Sequence, residues 1–193
     1  MKRILVISGP SGSGKSTLLE RFLLTEIGQK YFVRIPSVTT RPPRTTGDVD
    51  DLKRDRRNYR FVTRRQFKKL IARGVFAEWA EIHGHLYGKL HEHITVILDK
   101  RLAAMELDVQ GLKNLRPQFP GQILAVFMEA SVEELVERLN KRGNTDDIER
   151  RKTTALFELQ NAADYDYRIQ SVTQQKSLEI LTEIVNREML DHA

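Results

Sequence analysis

GPSGSGKS, residues 9–16, decides how the rest of this chain is read. The stretch before it, RILVIS at 3–8, is a short apolar, β-branched run suited to a strand buried on both faces. The stretch after it, STLLERFLLTEI at 16–27, carries apolar residues at helical spacing, which predicts one helix. Strand, glycine-rich loop and helix in that order are the context that a GxxxxGKS phosphate loop requires. Its glycines let the backbone turn amides toward phosphate oxygens, and the helix N-terminus adds unpaired donors and a favourable dipole. Gly9, Pro10, Ser11, Gly12, Ser13, Gly14, Lys15, Ser16 and Thr17 are therefore the expected nucleoside triphosphate site. Lys15 is placed to reach the β and γ phosphates, and the Ser16 hydroxyl to ligate Mg²⁺.

The bulk numbers are compatible with one domain. A chain of 193 residues, 40% hydrophobic and 30% charged, can bury a substantial core with small inserted parts. No apolar run approaches the length that crosses a bilayer, so no membrane partner is expected, and the basic start MKR leads into the phosphate loop instead of a cleavage site. Cysteine is absent, which removes disulfides and thiolate metal sites and fits a reducing cytoplasm. The net charge of +6 favours polyanionic ligands, nucleotides and nucleic acids alike. The densest basic run, KRDRRNYR at 53–60, is read as a solvated, mobile loop. No recognition helix or aromatic platform accompanies it, so nucleic acid is not expected as a partner.

Beyond the first helix the character changes. From about 37 to 90, prolines, arginines and short alternating runs such as YRFV and FAEWAEI suggest an inserted subdomain, crossed by a helix at RRQFKKLIARG that ends on Gly74. Residues 103–109 (AAMELDV) and 122–128 (QILAVFM) read as core strands, SVEELVERLNKRG as a helix starting near Ser131, YRI at 167–169 as a short strand and SLEILTEIVNREML as a terminal amphipathic helix. Strands alternating with helices imply an α/β fold with a parallel sheet covered on both faces.

Several motifs in one order resemble the guanylate kinase family: SGPSGSGKSTL at 8–18, SVTTRPPR at 37–44, FAEWAEIHGHLYG at 76–88, LDVQG at 107–111, RLNKRG at 138–143 and DYDY at 164–167. The resemblance spans nearly the whole chain. It implies a P-loop NTPase core with a parallel sheet (1–36 and 91–193), an inserted GMP-binding subdomain (about 37–90) and a short lid (about 140–152). The activity it implies is ATP-dependent phosphorylation of GMP, with dGMP as a further substrate and Mg²⁺ as cofactor.

The residue chemistry supports the same roles. A dianionic monophosphate calls for paired guanidinium groups, and Arg41 and Arg44, stiffened by Pro42 and Pro43, supply that pair, with Tyr59 and Tyr87 as hydroxyl donors. Guanine presents N1 and N2 hydrogens that a carboxylate accepts; Glu78 and Asp108 fall on the family's acidic base contacts, and Ser37 on a serine of the same site. The resemblance assigns charge neutralisation at the transferred group to Lys15, Arg138, Arg142 and Arg151, the last with Arg150 as its neighbour in an uncertain register.

The chain also departs from the family. In HGHLYGKL at 83–90, Lys89 stands where a serine or threonine hydroxyl usually meets guanine; it can donate to O6 or pair with Glu78 and fill the pocket, and the histidines read as turn or packing residues. The segment between Gly47 and Tyr59 is longer than usual, Glu106 replaces an aspartate, the polar stretch 144–149 is short, and Gln170 and Ser171 replace an asparagine that helps hold adenine. Two alternatives stay open: the same fold acting on another monophosphate or on ribose 1,5-bisphosphate, and a non-catalytic binding module of this fold.

Overall fold

In the computed structural model, residues 1–43, 49–141, 148–170 and 173–190 are described, with side chains except at 49–52, 54, 132, 138–141 and 148–152. The first strand, β1 (Ile4–Ser8), is buried at every position. It is followed by α1 (Lys15–Leu24), α2 (Glu26–Tyr31), β2 (Phe32–Arg34) and β3 (Ser37–Thr39). Next come α3 (Val49–Asn58), β4 (Tyr59–Phe61), α4 (Arg64–Ala72), β5 (Phe76–Ile82), β6 (His85–Leu90) and α5 (His91–Leu98). The chain continues with β7 (Leu102–Glu106), α6 (Val109–Leu115), β8 (Ile123–Glu129), α7 (Val132–Lys141), α8 (Ile148–Gln160), β9 (Tyr167–Gln170) and α9 (Gln174–Val185).

Five strands form one parallel sheet in the order β2-β7-β1-β8-β9. Alternate residues of β1 feed opposite faces, as a period of two requires. Ile4 and Val6 pack with Met105, Phe127 and the buried residues of α5 and α6, whereas Leu5 and Ile7 pack with Leu19 and Phe22 of α1 and Leu181 of α9. Two apolar faces explain why the core strands read as unbroken hydrophobic runs. The sheet is the expected α/β core, and among the described residues no helix is long and apolar enough to cross a membrane.

A second sheet, β4-β3-β6-β5, is built from residues 37–90. Its strands are mixed: β3 runs parallel to β4 and antiparallel to β6, and β5 with β6 forms a hairpin. The hairpin turns at His83 and Gly84, with φ of 48° and 79°, as a two-residue turn with both centres left-handed demands. Its core is small: Val38, Phe67, Leu86 and Leu90, with the Phe67 and Phe76 rings stacked at 4.5 Å. Helix α4 starts in a capping box in which Thr63 and Gln66 satisfy each other's backbone amides, and it is followed by Gly74 at φ 63°.

Three expectations need correction. The helix predicted over 16–27 is two helices, because the Thr25 hydroxyl accepts the Gly28 amide at 3.1 Å and starts α2. The run 53–60 is not a loop: α3 continues through Asn58 and β4 begins at Tyr59. The strand predicted over 103–109 ends at Glu106, since the Asp108 side chain caps α6 by accepting the Gly111 amide at 2.8 Å. Of the lid expected at about 140–152, residues 142–147 lie outside the described residues.

Candidate active site

The phosphate loop leaves the C-terminal end of β1, where its neighbours β7 and β8 lie on either side; ligands of open parallel sheets gather at such a position. Gly9, Gly12 and Gly14 have φ of 143°, 94° and 91°. At Gly9 the strain has a packing reason too, for a Cβ there would lie 2.5 Å from the Met128 carbonyl oxygen. The Ser13 amide donates to the Pro10 carbonyl at 3.0 Å, and Lys15 Nζ donates to the same carbonyl at 3.2 Å, so the loop is closed on itself.

A cleft of about 560 Å³ runs from this loop to the second sheet. Ser11, Gly12, Gly14, Lys15, Ser16 and Thr17 line one end; Gly9, Pro10 and Ser13, expected with them, do not line it. At the other end the cleft is lined by Ser37, Arg41, Tyr59, Glu78, Tyr87 and Asp108. Residues as far apart in sequence as Ser11 and Asp108 thus share one cavity. Arg44 and Arg142 lie outside the described residues, and Arg138 and Arg151 sit on α7 and α8 with their side chains outside them.

Glu78 and Asp108 converge on Gly111. A Cβ at Gly111 would lie 2.8 Å from Glu78 Oε2 and 3.0 Å from Asp108 Oδ1, so only glycine leaves both carboxylates room. Burial pushes the Glu78 carboxyl up, opposed by the Lys89 ammonium and the Lys89 amide, while Asp108 pushes it further up. Asp108 is itself raised by burial, against the Gly111 amide and the Lys15 ammonium. Desolvated carboxylates beside a cleft are poised to accept hydrogens from a ligand that supplies donors.

Lys89 is paired with Glu78 across β5 and β6, but it does not line the cleft. It is 2% exposed, and its Nζ donates to the Ile35 carbonyl at 2.8 Å. Burial lowers its pKa, and the nearby Glu106 and Glu78 carboxylates raise it. The ammonium thus stands behind the pocket wall as a counter-charge between two buried acids.

Glu106 ends β7 beside the phosphate loop. Its Oε2 accepts from Arg34 Nη2 at 2.5 Å, and its Oε1 is buried with no hydrogen-bond partner. Burial raises this carboxyl, but Arg34, Lys89 and the Ser16 hydroxyl outweigh that and hold it below the usual range. A charged carboxylate beside the Ser16 hydroxyl is a donor set that suits a hard, oxygen-seeking divalent cation such as Mg²⁺.

Some wall residues escaped the sequence. Glu158 on α8 is buried, is pushed up to about 7 by burial against the pull of Lys15, and has an unpartnered Oε2 facing the cleft region. Nothing local in ALFELQ distinguishes this glutamate from a surface charge; its burial follows from where α8 crosses the cleft. His83 and His85 line the cavity as well, and their position beside the Gly84 turn was a usable signal.

A phosphate loop on a parallel core, sharing one cleft with Glu78, Asp108 and Arg41, has the layout of a P-loop nucleotide kinase. The family model for guanylate kinase matches residues 1–188. A guanylate kinase of Corynebacterium jeikeium is 39% identical over 189 residues, covering 95% of each chain, and one of Brucella melitensis is 35% identical over 191 residues, covering 97% of this chain and 83% of the relative. The crystal structure of guanylate kinase from Anaplasma phagocytophilum superposes with a TM-score of 0.71 at 27% identity, over 97% of this chain and 87% of that one. The chain belongs to the guanylate kinase family.

Proposed function

We propose that this chain transfers the γ-phosphoryl group of ATP to GMP, giving GDP and ADP, and that dGMP is a second substrate. The observation that carries the reading is the convergence of Glu78 and Asp108 on Gly111 in the cleft that also holds Lys15 and Ser16. The carboxylates accept the N1 and N2 hydrogens of guanine, with Ser37 beside them. In the same cleft Arg41, Tyr59 and Tyr87 hold the acceptor phosphate, a role that the family resemblance also gives to Arg44.

An oxygen of the GMP phosphate attacks the γ-phosphorus as the bond to the β-bridging oxygen breaks, and the departing charge collects on ADP. Lys15 and the loop amides bind the donor phosphates and stabilise that charge, with Arg138, Arg142 and Arg151 completing the neutralisation. Mg²⁺ would be held by Ser16 with the support of Glu106, where it would supply charge neutralisation at the donor phosphates. The reaction belongs in the cytoplasm, where both nucleotides are abundant.

The same fold acting on a bisphosphorylated sugar drew its motive from Lys89 and the long basic segment as extra cations; the buried position of the Lys89 ammonium weakens the first of the two. A coupled assay across GMP, dGMP, AMP, UMP, CMP and ribose 1,5-bisphosphate tests the assignment. GMP is expected to be turned over with a kcat/KM at least about a hundredfold above AMP, from unpaired buried carboxylates facing the wrong base. Equal turnover of GMP and AMP would overturn it.

A further inference from the structure

Apart from Tyr59, the basic segment at 53–60 has no part in the function described so far, yet it contains one acid, Asp55, set among Lys53, Arg54, Arg56 and Arg57. Local physics gives this residue little reason to be there. Aspartate is a poor helix former, and α3 ends at Asn58, so its charge lies near the negative end of the helix dipole. Lys53, Arg56 and Arg57 are exposed, but Asp55 is 4% exposed. A buried carboxylate among exposed cations needs a tertiary partner, and it has one. Arg41 Nη2 donates to both Asp55 oxygens, at 3.1 and 3.0 Å.

The rest of the Arg41 environment points the same way. Its Nη1 donates to the Pro42 carbonyl at 2.9 Å, and its guanidinium lies over the Tyr59 ring at 5.0 Å and the Phe61 ring at 5.7 Å. Arg41 and Tyr59 both line the cleft. Both terminal nitrogens of the guanidinium are therefore engaged, one by a carboxylate and the other by a carbonyl, with two aromatic faces beside it, while the side chain remains part of the cleft wall. A long arginine side chain loses rotamer freedom when it grips a phosphate; fixing it beforehand removes that cost at the moment of binding. The opposing effect is charge: Asp55 partly neutralises the cation that a dianion would meet.

We infer that Asp55 is a positioning residue for the acceptor phosphate, acting through Arg41 and coupling helix α3 to the acceptor site. The inference rests on the reading of Arg41 as an acceptor-phosphate ligand. Pre-orientation outweighs the lost charge because the dianion also meets other donors on the same wall, whereas a loose Arg41 would have to be ordered afresh with each substrate.

The test is steady-state kinetics of the full chain with GMP varied at saturating ATP, together with calorimetry of GMP and guanosine. The variants are Asp55→Asn, Asp55→Glu, Arg41→Ala and the double variant Asp55→Asn/Arg41→Ala. Asp55→Asn is expected to raise the KM for GMP about fivefold or more while kcat and the KM for ATP stay within about twofold. Guanosine, which lacks the phosphate, is expected to bind this variant within about twofold of wild type, and Asp55→Glu to recover most of the GMP affinity. In the Arg41→Ala background the Asp55→Asn change is expected to add less than about twofold.

An unchanged or lower KM for GMP in Asp55→Asn overturns the inference, the lower value marking Asp55 as a competitor of the phosphate. Equal weakening of guanosine and GMP, or of ATP and GMP, also overturns it, by making the residue structural. If Arg41→Ala itself leaves the KM for GMP unchanged, the acceptor-site reading falls and this inference with it; if Arg41→Ala weakens GMP and Asp55→Asn does not, the inference alone falls.

Discussion

Gly111 shows how much of the acceptor pocket hangs on one missing methyl group. Its amide holds Asp108 at 2.8 Å, and its bare Cα admits Glu78 Oε2 to where a Cβ would stand 2.8 Å away. Gly111→Ala forces the ends of both carboxylates aside without touching the phosphate loop. The expected result is a rise of about tenfold in the KM for GMP, equivalent to ~1.4 kcal/mol, with the KM for ATP nearly unchanged in the same assay. Glu158 offers a test by pH. Burial raises its carboxyl from 4.5 to about 7, so the folded state holds the proton more tightly than the unfolded chain. Its contribution to stability is full below pH 4.5 and is lost as the pH rises through about 7. Glu158→Gln is therefore expected to leave urea stability almost unchanged at pH 4.5 and to raise it at pH 8, by at most ~3 kcal/mol. A variant less stable than wild type at pH 8 would mean that the charged carboxylate is held by a partner other than Lys15.

Among the elements, the β5–β6 hairpin carries the most function for its size. Alternation along β5 turns Glu78 and Ala80 inward, while Trp79 is 41% exposed on the other face. Gly88 lets β6 approach closely, since a Cβ there would meet the Phe76 ring at 2.7 Å and the Glu78 carbonyl oxygen at 2.9 Å. The hairpin is backed by α4 through Phe67, fully buried against Phe76. Phe67→Ala is expected to cost about 3–5 kcal/mol by chemical denaturation. Because the hairpin holds Glu78 and Tyr87, the same variant should raise the KM for GMP more than that for ATP. Equal effects on both substrates would mean that this small core does not shape the acceptor site.

At the scale of the molecule, the cleft is bounded by two sheets with separate apolar cores, the larger around β1 and the smaller around Phe67. A ligand that bridges the two ends ties the small core to the large one. GMP with a non-hydrolysable ATP analogue, each at about a hundred times its Kd, is expected to stabilise the fold by ~2.7 kcal/mol per ligand. Hydrogen exchange should slow most across residues 37–90, where the smaller core leaves the backbone easier to open. Slowing confined to the phosphate loop would place the acceptor outside the second sheet.

What the sequence determined by itself are the features set by short-range rules. The phosphate loop between strand and helix, the two-faced apolar core strands and the helix ending at Gly74 are each readable from a few adjacent residues. Tertiary structure decided the rest. The sequence left Lys89 as either a contact for guanine O6 or a partner for Glu78; in the fold its ammonium donates to the Ile35 carbonyl off the cleft, close to the Glu78 and Glu106 carboxylates. Glu158 looked like a surface charge until α8 crossed the cleft, and Asp55 looked like part of a solvated basic run until α3 brought it to Arg41. The physical reason is common to all three. The free energy of a charged side chain depends on its solvation and on partners far away in sequence, and neither is encoded in the residues beside it.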